Sequence, residues 1–481
     1  MLTSLRKTEK ISYELPAVYV INKTSDLAIC AFSDAENEYA VKRIERGDDV
    51  ILVHNLNRYS CLVVNDNSKP FFNQLESLRK VSTKVHSIIK ENDNNGLITV
   101  DVVNDAELIA AFIEGLVLSN YRFDKYLSKP DKKSGFPDTI DIYSTYFQEK
   151  DIEKLEIICK AVYLSRDLVN EPLSHMNAVS LAERIQGMGN EAGFTVEVLN
   201  KKEIERLGMG GLIAVNRGSI DPPTFSILEW KPSEYLNEKP FILIGKGIVF
   251  DTGGLSLKPT ANSMDYMKCD MAGAAAVAGA MYAIAASGLP VHVIGLIPAT
   301  DNRPDGNAMV PGDVITMMDR TTVEVMNTDA EGRLILADAL SYSKKYDPLL
   351  VIDLATLTGS ASAAIGTHGA VSLQKSADVW HSELEESGYY THERLAQFPL
   401  WEEYGEMLKS DIADLKNIGG KEAGAITAAK FLEHFVSFPW IHIDIAGPAF
   451  LHSADTYRKK GGSAVGVRLL FEFFRKYSKK G

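Results

Sequence analysis

The sequence predicts an α/β protein of two domains: a smaller α/β domain over residues 1–150, a linking helix over 151–170, and a larger domain over 171–481. The larger one is expected to hold a central mixed, mostly parallel sheet flanked by helices. Three observations lead there. The chain is 481 residues long, enough for two cores. Its second part alternates near-continuous apolar runs of strand length with helical patterns, the signature of strands buried on both faces. The stretch "SKPDKKSGFPD" at 128–138 is dense in turn formers and resembles a boundary loop.

In the first 150 residues, "AVYVIN", "ILVHNL", "SCLVVN" and "LITVDVV" read as strands. Asn104, with Glu107 as its capping-box partner, is expected to open a helix that turns Leu108, Phe112, Leu116 and Leu118 toward a core. No phosphate loop or catalytic cluster is visible there. In the larger domain, "TVEVLN", "FSILEW", "PFILIG", "VHVIGLI", "TVEVM", "LLVIDLA" and "WIHIDIA" are the candidate strands. The Ala-rich "MAGAAAVAGAMYAIAASG" is the clearest helix, closed by Gly288.

Composition narrows the function. With 51 basic against 64 acidic residues the formal net charge is −13, which disfavours a nucleic-acid partner. No apolar run long and charge-free enough for a membrane span is expected, and the first twenty residues lack an apolar signal core. The four cysteines stand far apart and form no CxxC pair, which fits a reducing cytoplasm.

The charges with chemical interest follow the strands of the larger domain. In "PFILIGKGIVFDTGG", Lys246 interrupts an apolar run and Asp251 precedes two glycines. A buried lysine is costly unless paired, so the plain reading is a strand-end amine reaching solvent. In "LKPTANSMDYMKCDMAGAAA", Lys258, Asp265, Lys268 and Asp270 precede the Ala-rich helix, where Asp270 could be an ordinary N-cap. In "NTDAEGRL", Asp329 and Glu331 are two residues apart, a spacing that faces one place in a turn but not in a helix. If these junctions share a sheet edge, four carboxylates (Asp251, Asp270, Asp329 and Glu331) converge, and they cannot all stay ionised without compensating charge. Bound divalent cations are the natural compensation, and oxygen ligands with one nitrogen suit Zn²⁺ or Mn²⁺. Patterns for other chemistries, HExxH, GxSxG, GxxxxGK[ST] and GxGxxG after a strand, are missing. His292 and His442 fall inside strand patterns and read as packing residues.

These motifs resemble the leucyl aminopeptidase family of dinuclear-metal exopeptidases, the M17-type cytosol aminopeptidases. "NTDAEGRL" is that family's signature, and "GKGIVFDTGG", "MKCDMAGAAAV", "PGDVI", "DLATLTG" and "DIADLKN" follow its order and approximate spacing over residues 150–475. The resemblance implies a metallopeptidase that releases N-terminal, Leu-like residues from peptides with a dinuclear metal-activated water. It implies Asp251 and Glu331 as bridging ligands, Lys246 and Asp270 as further ligands of one metal, and Asp329 as ligand of the other. As a ligand Lys246 must be neutral, so its pKa must be depressed. Lys258 and Arg333 are implied as catalytic, the arginine holding bicarbonate, and Met267, Thr356, Gly359 and Ala446 as the walls of the first-residue pocket. A cytoplasmic homohexamer is implied too. The chain carries one residue more than is usual between Lys258 and Asp270, placed at "TANS". Two competing readings are another two-metal hydrolase such as a phosphoesterase, with Arg333 and Lys258 clamping phosphate, and a member with an added DNA-binding regulatory role.

Overall fold

The structure, a computed structural model, describes residues 3–12, 14–55, 58–92, 96–129 and 135–480. Residues 130–134 of the expected boundary loop lie outside the described residues. The chain divides into two compact units, one of residues 1–163 with 453–460, the other of residues 164–452 with 461–481. The division falls inside the helix Glu149–Asn170.

The first unit is built on a six-stranded sheet in the order β1-β6-β5-β2-β4-β3. Its strands are β1 (Ser4–Lys7), β2 (Ala17–Ile21), β3 (Val50–Asn55), β4 (Arg58–Val64), β5 (Leu97–Asp101) and β6 (Thr139–Tyr143). All neighbours are parallel except β3 and β4. Every residue of β2 and β5 is buried, as continuous apolar runs require. The helix at 106–119 corrects one expectation. Asp105, not Asn104, is its N-cap, and its carboxylate accepts from the Glu107 and Leu108 amides. Asn104 instead turns with φ 56°, a conformation asparagine tolerates. Leu108, Phe112, Leu116 and Leu118 are all buried, as the pattern predicts.

In the second unit a nine-stranded mixed sheet runs β16-β15-β18-β14-β9-β11-β8-β7, with β10 added beside β11. The strands are β7 (Thr195–Leu199), β8 (Thr224–Trp230), β9 (Phe241–Gly245), β10 (Gly247–Asp251), β11 (Val293–Asn302), β14 (Leu350–Ala355), β15 (Ala370–Lys375), β16 (Leu395–Gln397) and β18 (Trp440–Asp444). The centre, β18-β14-β9-β11, is parallel, and antiparallel pairs flank it. "TVEVM" does not join this sheet. It supplies only β13 (Thr322–Glu324) of a separate three-stranded sheet with β12 (Val314–Thr316) and β17 (Leu415–Lys416).

The Ala-rich helix is Ala272–Ala286, and every residue but the last is buried. Its small residues allow close approach to the sheet: a Cβ on Gly273 would lie 2.1 Å from the Leu354 carbonyl oxygen. The stretch Met264–Ala286 is apolar and long enough to cross a membrane, yet 94% of its apolar window is buried in the fold. Packing in the core accounts for its composition.

Asp338, fully buried in the helix Gly332–Ser343, accepts from the Leu212 and Met318 amides at 2.9 and 3.0 Å. Burial pushes its carboxyl up to about 7, against the pull of those donors. The folded protein therefore holds this proton where the unfolded chain has released it, so the associated stability is present at low pH and is lost as pH rises toward 7. The melting-temperature advantage of wild type over Asp338→Asn should shrink between pH 5 and pH 8. Parallel pH curves for the two proteins would contradict this.

Candidate metal centre

Segments beyond the carboxyl ends of β9, β10, β14 and β18, with the "NTDAEGRL" turn after β13, meet in a cavity of about 480 Å³. It is lined by Lys246, Asp251, Lys258, Met267, Asp270, Asp329, Glu331, Arg333, Thr356, Gly359 and Ala446, all of them positions singled out in the sequence. Each arrives by a different local device. Lys246 stands between β9 and β10 at the end of the parallel centre, and Asp251 closes β10. Asp270 sits in the last turn of the 3-10 helix Met264–Met271, and the N-cap of the following helix is Met271. Asp270 is thus not a cap, and its side chain is free to turn inward. Glu331 occupies the N-cap position of the helix Gly332–Ser343 but makes no capping bond with its side chain.

The amines and carboxylates interleave. Lys246 Nζ lies 2.9 Å from oxygens of both Asp270 and Glu331 and donates to the Thr356 carbonyl at 2.9 Å. Lys258 Nζ lies 2.8 Å from Asp251 Oδ2 and 2.6 Å from Asp329 Oδ1. Thr356 Oγ1 donates to Asp270 Oδ1 at 2.8 Å. Despite these pairs, Glu331 Oε2 is buried without a hydrogen-bond partner, and Asp270 Oδ2 and Asp329 Oδ1 meet their lysines only as ion pairs, outside hydrogen-bond geometry. Asp251, Asp329 and Glu331 each offer an oxygen within 4.8 Å of the others. Such a donor set, anionic, converging and incompletely satisfied, fits a divalent cation.

The electrostatics agree. Burial raises the Glu331 carboxyl, helped by Asp251 and opposed by Lys246 and Lys258. Burial likewise pushes Asp329 up to about 7, with Asp251 and Glu331 adding to it. For Lys246 burial works against the charge, but Asp270, Glu331 and Asp251 outweigh it and hold the amine above the ordinary lysine value. That is opposite to the depression a ligand role calls for. The carboxylates produce it, so cations that neutralise them would remove it.

Room for the Lys246 side chain comes from Gly332, where a Cβ would lie 2.5 Å from Lys246 Cε and 2.6 Å from Nζ. The Lys258 amide is fixed to the Thr252 carbonyl at 2.9 Å, and the "TANS" turn follows it. That turn is closed by Met264 and Asp265 amides on Pro259 and Thr260, with Asn262 at φ 58°.

Arg333 is buried, and its Nη1 donates to the Asn417 carbonyl at 2.7 Å while its Nε has no partner. Burial lowers its pKa to about 10, against the support of Glu331 and Asp444, so it stays charged at neutral pH. A buried guanidinium with an unused N–H can make a charge-assisted hydrogen bond to an anionic acceptor.

Sequence reasoning did not single out the residues that hold these groups. Asn302 donates to Asp251 Oδ1 at 2.9 Å and to the Thr328 carbonyl at 3.0 Å, tying β11 to the "NTDAEGRL" turn. Asn417 accepts from Met326, donates to Asn327 and receives Arg333 on its carbonyl. Asp444 accepts from the Leu357 and Ala446 amides at 3.1 Å and from Thr358 Oγ1 at 2.7 Å, joining two walls of the cavity. His442 bonds buried Asp353 at 2.6 Å and His292 bonds Glu229 at 2.9 Å, and neither lines the cavity.

A mixed α/β sheet with an acidic, amine-bearing cavity beyond its strand ends marks a candidate active site, the class being that of an enzyme with a metal-binding centre. The sequence matches the cytosol aminopeptidase family, catalytic domain, over residues 163–471, and the chain belongs to that family. It is 47% identical over 395 residues to a probable cytosol aminopeptidase of Chlorobium limicola, covering 78% of this chain and 76% of that one. Among solved structures, the bottromycin maturation enzyme BotP in complex with Mn superposes with a TM-score of 0.85 at 30% identity, over 97% of this chain and all of that one. A mutant of tomato leucine aminopeptidase superposes with a TM-score of 0.85 at 27% identity, over 98% and 96% of the two chains. The protein is therefore an aminopeptidase-type hydrolase, with peptides as its substrate class.

Proposed function

We propose that the protein is a dinuclear, metal-dependent aminopeptidase that releases N-terminal residues from peptides, Leu-like ones with a broad preference. The observation that carries this reading is the buried Glu331 Oε2, which lacks any hydrogen-bond partner amid the converging oxygens of Asp251 and Asp329. In it, Asp251 and Glu331 would be held in common by two cations, zinc or manganese, with Lys246 and Asp270 as further ligands of one and Asp329 as ligand of the other. The cations would supply an activated water at neutral pH.

The rest falls to the chain's own groups. Asp270, held by Thr356, faces the cavity where a substrate's free α-amine would enter, which favours cleavage at a peptide's first bond. Lys258 keeps its charge, since Asp251, Glu331 and Asp329 overcome the effect of burial, and it can stabilise the oxyanion that develops at the scissile carbonyl. Arg333 would hold bicarbonate, which would supply a general base beside the scissile bond. Met267, Thr356, Gly359 and Ala446 receive the first side chain. A cytoplasmic homohexamer, with neither nucleic acid nor membrane as partner, belongs to the same reading and rests on family membership. Protein loaded with Mn²⁺ or Zn²⁺ should hydrolyse L-leucinamide and leucyl peptides but spare N-acetylated ones. A folded preparation inactive with every divalent metal would refute the proposal.

A further inference from the structure

The cavity wall that carries Met267 and Ala446 continues beyond them as aromatic surface. Tyr266, Phe450 and His452 line the same cavity. Tyr266 and Phe450 lie at 12° with centroids 6.0 Å apart, and His452 stands edge-on to them at 4.6 and 5.9 Å. Tyr266 and Phe450 are half-buried and His452 is exposed. Rings left wet in a cleft gain by being covered, and another ring covers them best, by offset or edge contact.

Two further observations point the same way. Tyr266 Oη donates to the Asn262 carbonyl at 2.7 Å, so the "TANS" turn fixes this ring before any ligand arrives. Gly359 leaves open space: a Cβ added there would meet no atom within 4 Å. The cavity wall at Gly359 is therefore not filled by a side chain, and Met267 brings a thioether, which packs well on ring edges.

We propose that Tyr266, Phe450 and His452 form an aromatic extension of the first-residue pocket, selecting peptides that begin with Phe, Tyr or Trp. The proposal rests on the aminopeptidase reading for the site's orientation, and its test separates the two. The ratio of kcat/KM for L-phenylalaninamide over L-leucinamide is measured with the Mn²⁺-loaded enzyme. Affinities for the non-hydrolysable L-phenylalaninol and L-leucinol are measured by calorimetry. Wild type should favour the aromatic member in both. Tyr266→Ala should lower both ratios by about three- to tenfold, while Tyr266→Phe keeps most of the preference. Tyr266→Leu, which retains bulk without the ring, should behave as Tyr266→Ala and guards against a folding defect. Unchanged ratios in Tyr266→Ala, Tyr266→Leu and His452→Ala would overturn the aromatic extension. If neither amide is hydrolysed, the aminopeptidase reading falls, and the calorimetric ratios still decide for or against an aromatic site.

Discussion

Replacing Glu331 by glutamine will cut kcat/KM for a leucyl amide by on the order of a thousandfold or more, because in the proposed centre it removes an anionic oxygen that two cations would share. The same variant should bind less than two equivalents of Mn²⁺ and lose most of the metal-induced rise in melting temperature. The metal-free protein should behave differently. There Glu331 is a buried carboxylate beside Asp251, with one oxygen lacking any hydrogen bond. Neutralising it removes a repulsion, so the melting temperature under chelation should hold or rise. A structural role for Glu331 predicts the reverse, a variant less stable without metal. Full metal occupancy and activity in the variant would remove Glu331 from the ligand set.

Arg333→Ala should lower kcat by about a hundredfold while changing KM only a few-fold, the size expected for loss of a proton-shuttling partner. Metal content should stay at two equivalents, because the guanidinium touches Asn417 and not the carboxylates within hydrogen-bond distance. The sharper readout is the anion. Wild type freed of bicarbonate should gain rate when it is restored, and Arg333→Ala should not. Equal responses in both proteins, or none in wild type, would show that Arg333 does not seat bicarbonate.

Much of this site was legible because its residues violate local expectations. Lys246 sits where an apolar run should continue, and Asp329 and Glu331 carry a spacing no helix uses. Asp270 was ambiguous for a physical reason: a carboxylate before a helix is usually its cap, and nothing local announces that a 3-10 turn will shift the cap to Met271. The run "TTVEVM" has strand character, but which sheet it joins depends on β12 and β17, and β17 lies about ninety residues away. Asn302 and Asn417 escaped notice because an asparagine at a strand end looks like any turn residue. Their value lies in partners distant in sequence, Asp251 and Thr328 for one, Asn327 and Arg333 for the other. The one-residue shift from Asn104 to Asp105 as cap reflects two adjacent residues with similar capping chemistry.

Gly332 brings no donor atom to the centre, yet it decides which atoms can be there. A single methyl group at that position would claim the volume now filled by the end of the Lys246 side chain. In the proposed ligand set the single nitrogen would thus be permitted by an absence next door. If Lys246 is a ligand as proposed, Gly332→Ala would act on the coordination chemistry from outside it, pushing that nitrogen away while leaving every carboxylate in place, and would change which metals the enzyme prefers.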